Sequence, residues 1–131
     1  MINTTLPVLE TELDEAKGEL IRKTHDIKCK IDVSVFAERR WEENFPANAK
    51  TETLFAYVER MNGKDLKNPA YLLSNLKAIY CFIVSDEIAD FDSFLQMFDM
   101  SDIEYLTRLI NKIKFVFEIA LKAATTNAKN S

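Results

Sequence analysis

The sequence has few of the residues that tight turns, disulfides and metal sites require. Among 131 residues there are two glycines, three prolines, two cysteines and one histidine. Sheet-rich folds use glycine and proline in their turns, so this scarcity favours long helices joined by short loops. Cys29 and Cys81 are isolated in sequence, which predicts reduced thiols rather than a disulfide or a zinc site. With His25 alone, a site built from several histidines is excluded.

The chain also lacks a basic face and a long apolar run. Its formal net charge is −4, and its short arginine and lysine pairs are flanked by acids, so we expect no nucleic-acid binding. The longest apolar run, residues 78–84, is far shorter than the roughly 20 residues of a membrane span. The first residues do not combine a charged segment with an apolar core, so we expect no secretory signal and a cytoplasmic location.

Residues 1–30 allow two interpretations. One face of a helix would hold four apolar residues, Leu9, Leu13, Leu20 and Ile21. From Ile27 to Val35, however, every second residue is apolar and its neighbours are polar, which is typical of a half-buried strand. Gly18 would then mark the turn of a short N-terminal β-hairpin.

The rest of the chain has helical patterns. The predicted helices cover residues 34–44, 51–61, 69–84, 90–98 and 101–121. In the second of them we expect four side chains to face the core, those of Leu54, Phe55, Val58 and Met61. The predicted fold is therefore mainly α, a compact domain of about four to five helices with the N-terminal hairpin as an option. Residues 1–122 would form one globular domain, and residues 123–131 a polar flexible tail.

No pattern for catalysis, cofactors or metals emerges. Six acidic residues cluster at Asp86, Glu87, Asp90, Asp92, Asp99 and Asp102. A calcium loop starting at Asp90 would need glycine where Leu95 stands, so we interpret these acids as residues that cap or begin helices. The two glycines are isolated, which excludes a glycine-rich phosphate loop. We therefore expect that the protein is not an enzyme and has no catalytic, cofactor-binding or metal-binding residues.

The one feature of the sequence that points to a function is its excess of apolar residues. Nine phenylalanines and a wide apolar stripe on the last predicted helix exceed what one contact requires, which favours binding to a partner or to a second copy. The competing interpretation is that all of them pack into one core. The candidate partner-binding surface comprises Phe91, Phe94, Phe98, Tyr105, Leu109 and Val116.

Two segments, Trp41–Pro46 (WEENFP) and Glu52–Phe55 (ETLF), carry a resemblance. They are similar to the tail assembly chaperones of long-tailed phages (siphophages) of Gram-positive bacteria, above all the lactococcal and streptococcal group, over about residues 27–121. The resemblance implies a non-enzymatic chaperone that binds the tape measure protein and recruits tail tube subunits. It also implies action in the host cytoplasm, absence from the mature virion, and in many members a longer form made by programmed frameshifting. Lys129-Asn130 is compatible with a slippery codon heptamer.

A second interpretation comes from a different class. The chain could be a small helical protein-binding regulator, such as a repressor partner or an antitoxin-like protein. Such a regulator would need a helix-turn-helix with a basic recognition helix. No predicted helix has that charge pattern, so the chaperone hypothesis leads. A homo-oligomer is compatible with either interpretation.

Overall fold

The computed structural model describes residues 2–61 and 69–98, and ten helical positions between 104 and 119 (104, 105, 107, 108, 111, 112, 114, 115, 118 and 119). Its elements are strands β1 (Ile2–Asp14) and β2 (Glu19–Ile31), helices α1 (Phe36–Asn44), α2 (Pro46–Ala49), α3 (Leu54–Arg60) and α4 (Pro69–Phe82), strand β3 (Ile83–Val84) and helix α5 (Phe91–Gln96). The fold is α+β. The expectation of a mainly α fold is therefore wrong, because the N-terminal segment and the end of an apolar run form a sheet.

The N-terminal segment is an antiparallel hairpin. β1 and β2 pair without a bulge from Ile2 opposite Ile31 to Asp14 opposite Glu19. Gly18 lies in the turn with φ of 63°, a conformation that glycine adopts without steric cost. The hairpin interpretation of residues 1–30 is therefore correct and the helical one is wrong. Each strand has 13 residues, so the hairpin is long rather than short.

The third strand replaces the end of a predicted helix. Ile83 and Val84 pair with the end of β2, opposite Ile31 and Lys30, and give the strand order β1-β2-β3. The helix predicted to extend to residue 84 ends at Phe82 instead. Two β-branched residues follow there, and such residues pack well on a pleated surface.

The core lies between the inner half of the hairpin and the helices. Its least exposed large side chains are Trp41, Phe94, Ile31, Leu54, Ile79 and Cys81. Trp41 lies at the centre of α1, where its indole Nε1 donates a hydrogen bond to the carbonyl of Glu52 at 3.1 Å. Ala37 and Trp41 are buried on the predicted face of α1. The start of the helix predicted over residues 101–121 and the tail at 123–131 lie outside the described residues.

A buried ion pair joins the sheet to two helices. Asp32 follows β2, and its Oδ2 accepts a hydrogen bond from Nη2 of Arg40 on α1 at 2.9 Å. Nη1 of the same guanidinium donates to the carbonyl of Cys81 on α4 at 2.9 Å. The backbone N–H of Asp32 donates to the carbonyl of Phe82 at 2.7 Å. One carboxylate and one guanidinium therefore fix the relative positions of β2, α1 and α4.

Candidate partner-binding surfaces

Four of the six predicted partner-binding residues lie close together in the structure, but they pack around the core. The Phe91 and Phe94 ring centroids lie 6.4 Å apart, those of Phe94 and Phe98 4.9 Å, and those of Phe98 and Tyr105 6.3 Å. Phe94 is 0% exposed, so it is a core residue in this structure rather than part of a surface. Phe91, Phe98 and Tyr105 are half-buried.

Two of the predicted residues, Leu109 and Val116, lie outside the described residues. The half-buried rings have inward neighbours. Phe91, for example, lies 4.8 Å from Phe45 and 5.3 Å from Tyr80, between ring centroids and at edge-to-face angles. Such contacts stabilise a core by roughly 0.5–1.5 kcal/mol each beyond area burial. The aromatic side chains of α5 therefore pack largely against other residues of the same chain.

A different apolar surface lies where α1 and α3 begin. Val35 is 85% exposed and Phe55 is 42% exposed, and Phe36 beside them is also exposed. Between them is a groove of about 250 Å³ lined by Val33, Ser34, Val35, Ala37, Glu38, Leu54, Phe55 and Phe82. We call this surface the α1–α3 groove. Mostly apolar concave surfaces with a few polar groups are typical of binding sites.

Hydrogen bonds hold the two sides of the α1–α3 groove in place. The carboxylate of Glu38 on α1 accepts from the backbone N–H groups of Leu54 at 3.0 Å and of Phe55 at 2.8 Å. These N–H groups are at the start of α3, where helix geometry leaves them without an internal partner and the dipole favours a negative charge. The Thr53 hydroxyl caps the same turn by accepting from the N–H of Ala56 at 3.1 Å.

Two arginines contact Phe36, the exposed phenylalanine beside the groove. The Arg40 guanidinium carbon lies 5.0 Å from the Phe36 ring centroid, and that of Arg39 lies 5.9 Å away. Both distances are within the range of a cation–π interaction. Since Arg40 is already fixed by Asp32, the Phe36 ring rests on an immobile group. The hydrogen bonds of Glu38 to Leu54 and Phe55 join the groove walls themselves, so the groove is a preformed surface.

The outer half of the hairpin is a second exposed feature. We call residues 10–26 the arm. Every β2 residue from Glu19 to Asp26 is exposed, on both faces of the strand, whereas Ile27, Cys29 and Ile31 further along are buried. The arm carries the exposed leucines Leu13 and Leu20 as a directly opposed pair near its tip.

The side-chain contacts across the arm involve exposed groups. His25 Nδ1 lies 3.2 Å from Glu10 Oε1, and Lys23 Nζ lies 3.8 Å from Glu12 Oε2. Exposed pairs of this kind contribute only about 0–1 kcal/mol. These two contacts therefore add little to the stability of the arm's hydrogen-bonded ladder.

The two cysteine thiols of the core are poor nucleophiles because they are buried. Burial raises the pKa of the Cys81 thiol to about 12 and also raises the pKa of Cys29, which disfavours the reactive thiolate. Among the described residues, no three histidine, cysteine, aspartate or glutamate side chains are grouped to hold a metal ion. The described helices include none long and apolar enough to cross a membrane.

The sequence contains a signal for the α1–α3 groove in the residues that lie beside its apolar stripes. Leu54, Tyr57, Val58 and Met61 are buried and follow the i, i+3, i+4, i+7 spacing of one helix face. Phe55 lies off that stripe, and the expectation that it faces the core is wrong. Phe36 is likewise displaced from the Ala37, Trp41 and Phe45 stripe of α1. Large apolar residues beside a complete stripe are candidates for exposure.

Comparison of the chain with protein-family models, with curated proteins and with solved structures finds no match in any of the three.

Proposed function

We propose that this protein is a non-enzymatic tail assembly chaperone of a siphophage, which binds the tape measure protein and recruits tail tube subunits in the host cytoplasm. The observation that carries the proposal is the α1–α3 groove, a preformed apolar surface beside the two segments that resemble the family. Segment Glu52–Phe55 forms one wall of the groove. Segment Trp41–Pro46 supports that wall through the hydrogen bond from Trp41 to the carbonyl of Glu52.

The groove suits a helical partner. An amphipathic helix binds by laying apolar side chains spaced i, i+3, i+4 into such a surface. In the proposed complex the groove covers apolar side chains of the tape measure protein that would otherwise aggregate. The net charge of −4 helps to keep the complex dispersed. A longer frameshifted form and absence from the mature virion belong to the same proposal.

This assignment differs from the surface predicted from the sequence. A partner surface that included Phe94 would require the core to open, because that ring is 0% exposed. Val35 and Phe55, in contrast, are exposed in the folded chain. Their exposure makes binding and folding separable by experiment.

The test is co-expression with the tape measure protein encoded by the same genome. Val35→Asp places a negative charge at the start of α1, where the helix dipole tolerates it, and Phe55→Ser removes the exposed ring. We expect either variant to lower the recovery of soluble tape measure protein about tenfold or more, since central apolar contacts at interfaces are often worth 2 kcal/mol or so. The far-UV circular dichroism of the variants should match that of the parent.

Leu73→Asp on α4 is the matched control, because Leu73 is about as exposed as Phe55 and lies outside the groove. This variant should keep the tape measure protein soluble. The proposed function would be contradicted if the parent chain failed to solubilise the tape measure protein. Normal recovery with both groove variants, or a loss with the control alone, would contradict the assignment of the surface.

A further inference from the structure

Each wall of the α1–α3 groove leads to an acidic side chain. Glu38 lines the groove on α1, and Phe55 lines it on α3. Since residues four apart on a helix are surface neighbours, Glu42 lies one turn beyond Glu38. Glu59 lies one turn beyond Phe55 in the same way. Both glutamates are exposed, and we call them the rim glutamates. An occupant that extends along either wall meets one of these carboxylates.

The rim glutamates are not neutralised within the part of the chain that the structure describes, where neither forms an ion pair. The arginines of α1 and α3 are bound to other carboxylates, in the pairs Arg39–Glu43, Arg40–Asp32 and Arg60–Glu52. The carboxylate of Glu38 accepts two backbone N–H groups at the start of α3. On these two helices, the charges left for an occupant of the groove are therefore negative.

The region that builds the groove is also acidic as a whole. Residues 32–61 include six acidic and four basic residues. Three of the basic residues are the paired arginines, and the fourth, Lys50, lies in the turn after α2. Because the arginines are paired, they do not offset the charge of the rim glutamates. Charge complementarity therefore favours an occupant that is basic where it meets the rim.

We infer, as a step that rests on the proposed function, that the segment of the tape measure protein in the α1–α3 groove is an amphipathic helix with lysine or arginine on both borders of its apolar stripe. Its apolar side chains pack on Val35 and Phe55, which are exposed in the free chain, and its cations lie against the rim glutamates. Complementary charges at an interface raise the association rate and suppress wrong partners. A helix with acidic borders would bring like charges together, so the groove selects against it.

Two synthetic peptides test this preference without the tape measure protein. Each is an amphipathic helix of about five turns with the same leucine stripe, bordered by lysines in one peptide and by glutamates in the other. In fluorescence anisotropy at low salt, we expect the full-length parent to bind the lysine-bordered peptide about tenfold more tightly, because two opposite-charge contacts replace two like-charge contacts. Added salt should weaken this binding, since salt screens exposed charges.

The double variant Glu42→Lys/Glu59→Lys reverses the charge of the rim. Both changes place a cation in the last turn of a helix, where the helix dipole favours it, so the far-UV circular dichroism should match that of the parent. We expect the variant to lose both the preference for the lysine-bordered peptide and the salt dependence. Phe55→Ser should instead weaken the binding of both peptides, because it changes the apolar surface that both require.

The double variant Glu15→Lys/Glu19→Lys is the matched control. It changes the net charge by the same amount, but the two residues lie at the tip of the arm, outside the groove. The control should keep the tenfold preference of the parent. If it loses the preference as well, the net charge of the protein rather than the rim selects the peptide, and the inference is wrong.

Co-expression with the tape measure protein separates this inference from the proposed function. We expect the rim variant to recover about tenfold less soluble tape measure protein than the parent or the control. A parent that solubilises the tape measure protein but binds both peptides equally would overturn the inference and leave the proposed function in place. Full recovery with the rim variant would do the same. A parent that prefers the lysine-bordered peptide but fails to solubilise the tape measure protein would contradict the proposed function instead. Self-association of the parent that the rim variant abolishes would assign the groove to a second copy and refute the inference.

Discussion

The pair formed by Asp32 and Arg40 gives the strongest stability prediction. The Asp32 side chain is 5% exposed and that of Arg40 is 19% exposed. Besides Arg40, the carboxylate accepts a hydrogen bond from the N–H of Ser34 at 2.9 Å. Asp32→Ala therefore removes the partner of a largely buried guanidinium and the partner of a backbone N–H. It also weakens the connection between β2, α1 and α4.

The size of the stability loss depends on which contacts Arg40 keeps after Asp32 is replaced. Removing one member of a buried ion pair costs about 3–5 kcal/mol when the other charge is left without compensation. Arg40 retains its bond to the Cys81 carbonyl and some contact with water, so we expect a loss of about 2–4 kcal/mol in the free energy of unfolding. For a domain of this size, that loss lowers the melting temperature by roughly 10 °C.

The pH dependence of the stability loss shows whether the charge of Asp32 causes it. Burial acts to raise the pKa of Asp32, but hydrogen bonds from Ser34 and the charge of Arg40 outweigh it, so the net pKa is lowered. A carboxyl with a lowered pKa in the folded state contributes stability above its unfolded pKa of about 3.9, and this contribution is lost as the pH falls through the folded value. The difference between parent and variant should therefore be constant from pH 7 to about 5 and shrink below about pH 4.

The assay is urea unfolding of parent and variant followed by circular dichroism across this pH range. The neighbouring pair on α1 is a matched control, because Arg39 and Glu43 are 2.9 Å apart but exposed. Glu43→Ala should cost at most about 0.5 kcal/mol, as exposed helix pairs do. The reasoning is refuted if Asp32→Ala costs no more than Glu43→Ala, or if its effect persists undiminished at pH 2.

Two further predictions concern the core. With a pKa of about 12, only about one Cys81 thiol in ten thousand is ionised at pH 8. Cys81 and the buried Cys29 should therefore react with a thiol reagent only after the protein unfolds. Rapid labelling of the native protein would contradict their burial. The Tyr57 hydroxyl donates to Asn75 Oδ1 at 2.7 Å, so Tyr57→Phe should cost about 1–3 kcal/mol by leaving a buried acceptor unpaired. In urea unfolding, Tyr57→Phe combined with Asn75→Leu should cost less than the sum of the single changes; strict additivity would show that the two groups are not coupled.

The sequence predicted the segments of the fold that have a complete periodic pattern. The alternation from Ile27 onward identified the inner half of β2, because that half has one face on the core and one in solvent. The helical stripes located α1, α3 and most of α4 in the same way. Asp90 is an N-cap as its position suggested, with its side chain accepting from the N–H of Ser93 at 2.8 Å.

The errors occurred where burial does not impose a period. Both faces of the arm are exposed, so Leu13 and Leu20 do not alternate with a buried partner, and their spacing was compatible with a helix. Ile83 and Val84 continue an apolar run, and periodicity alone does not distinguish a buried helix from a short buried strand. Because the patterns of these two segments are compatible with helices, the sequence predicted a mainly α fold for a chain that has an α+β fold.

The same distinction explains why Phe94, a buried residue, was included in the predicted partner surface. A count of aromatic residues measures apolar area but not its orientation, and α5 directs Phe94 into the core. A substitution there, such as Phe94→Asp, would abolish binding by unfolding the domain and would therefore carry no information about an interface. The α1–α3 groove is a better target, because its exposed residues Val35 and Phe55 lie outside the packed stripes and because the Glu38 caps and the Asp32–Arg40 pair maintain the framework without them. A loss of binding at Val35 or Phe55 with unchanged stability can then be attributed to the surface itself.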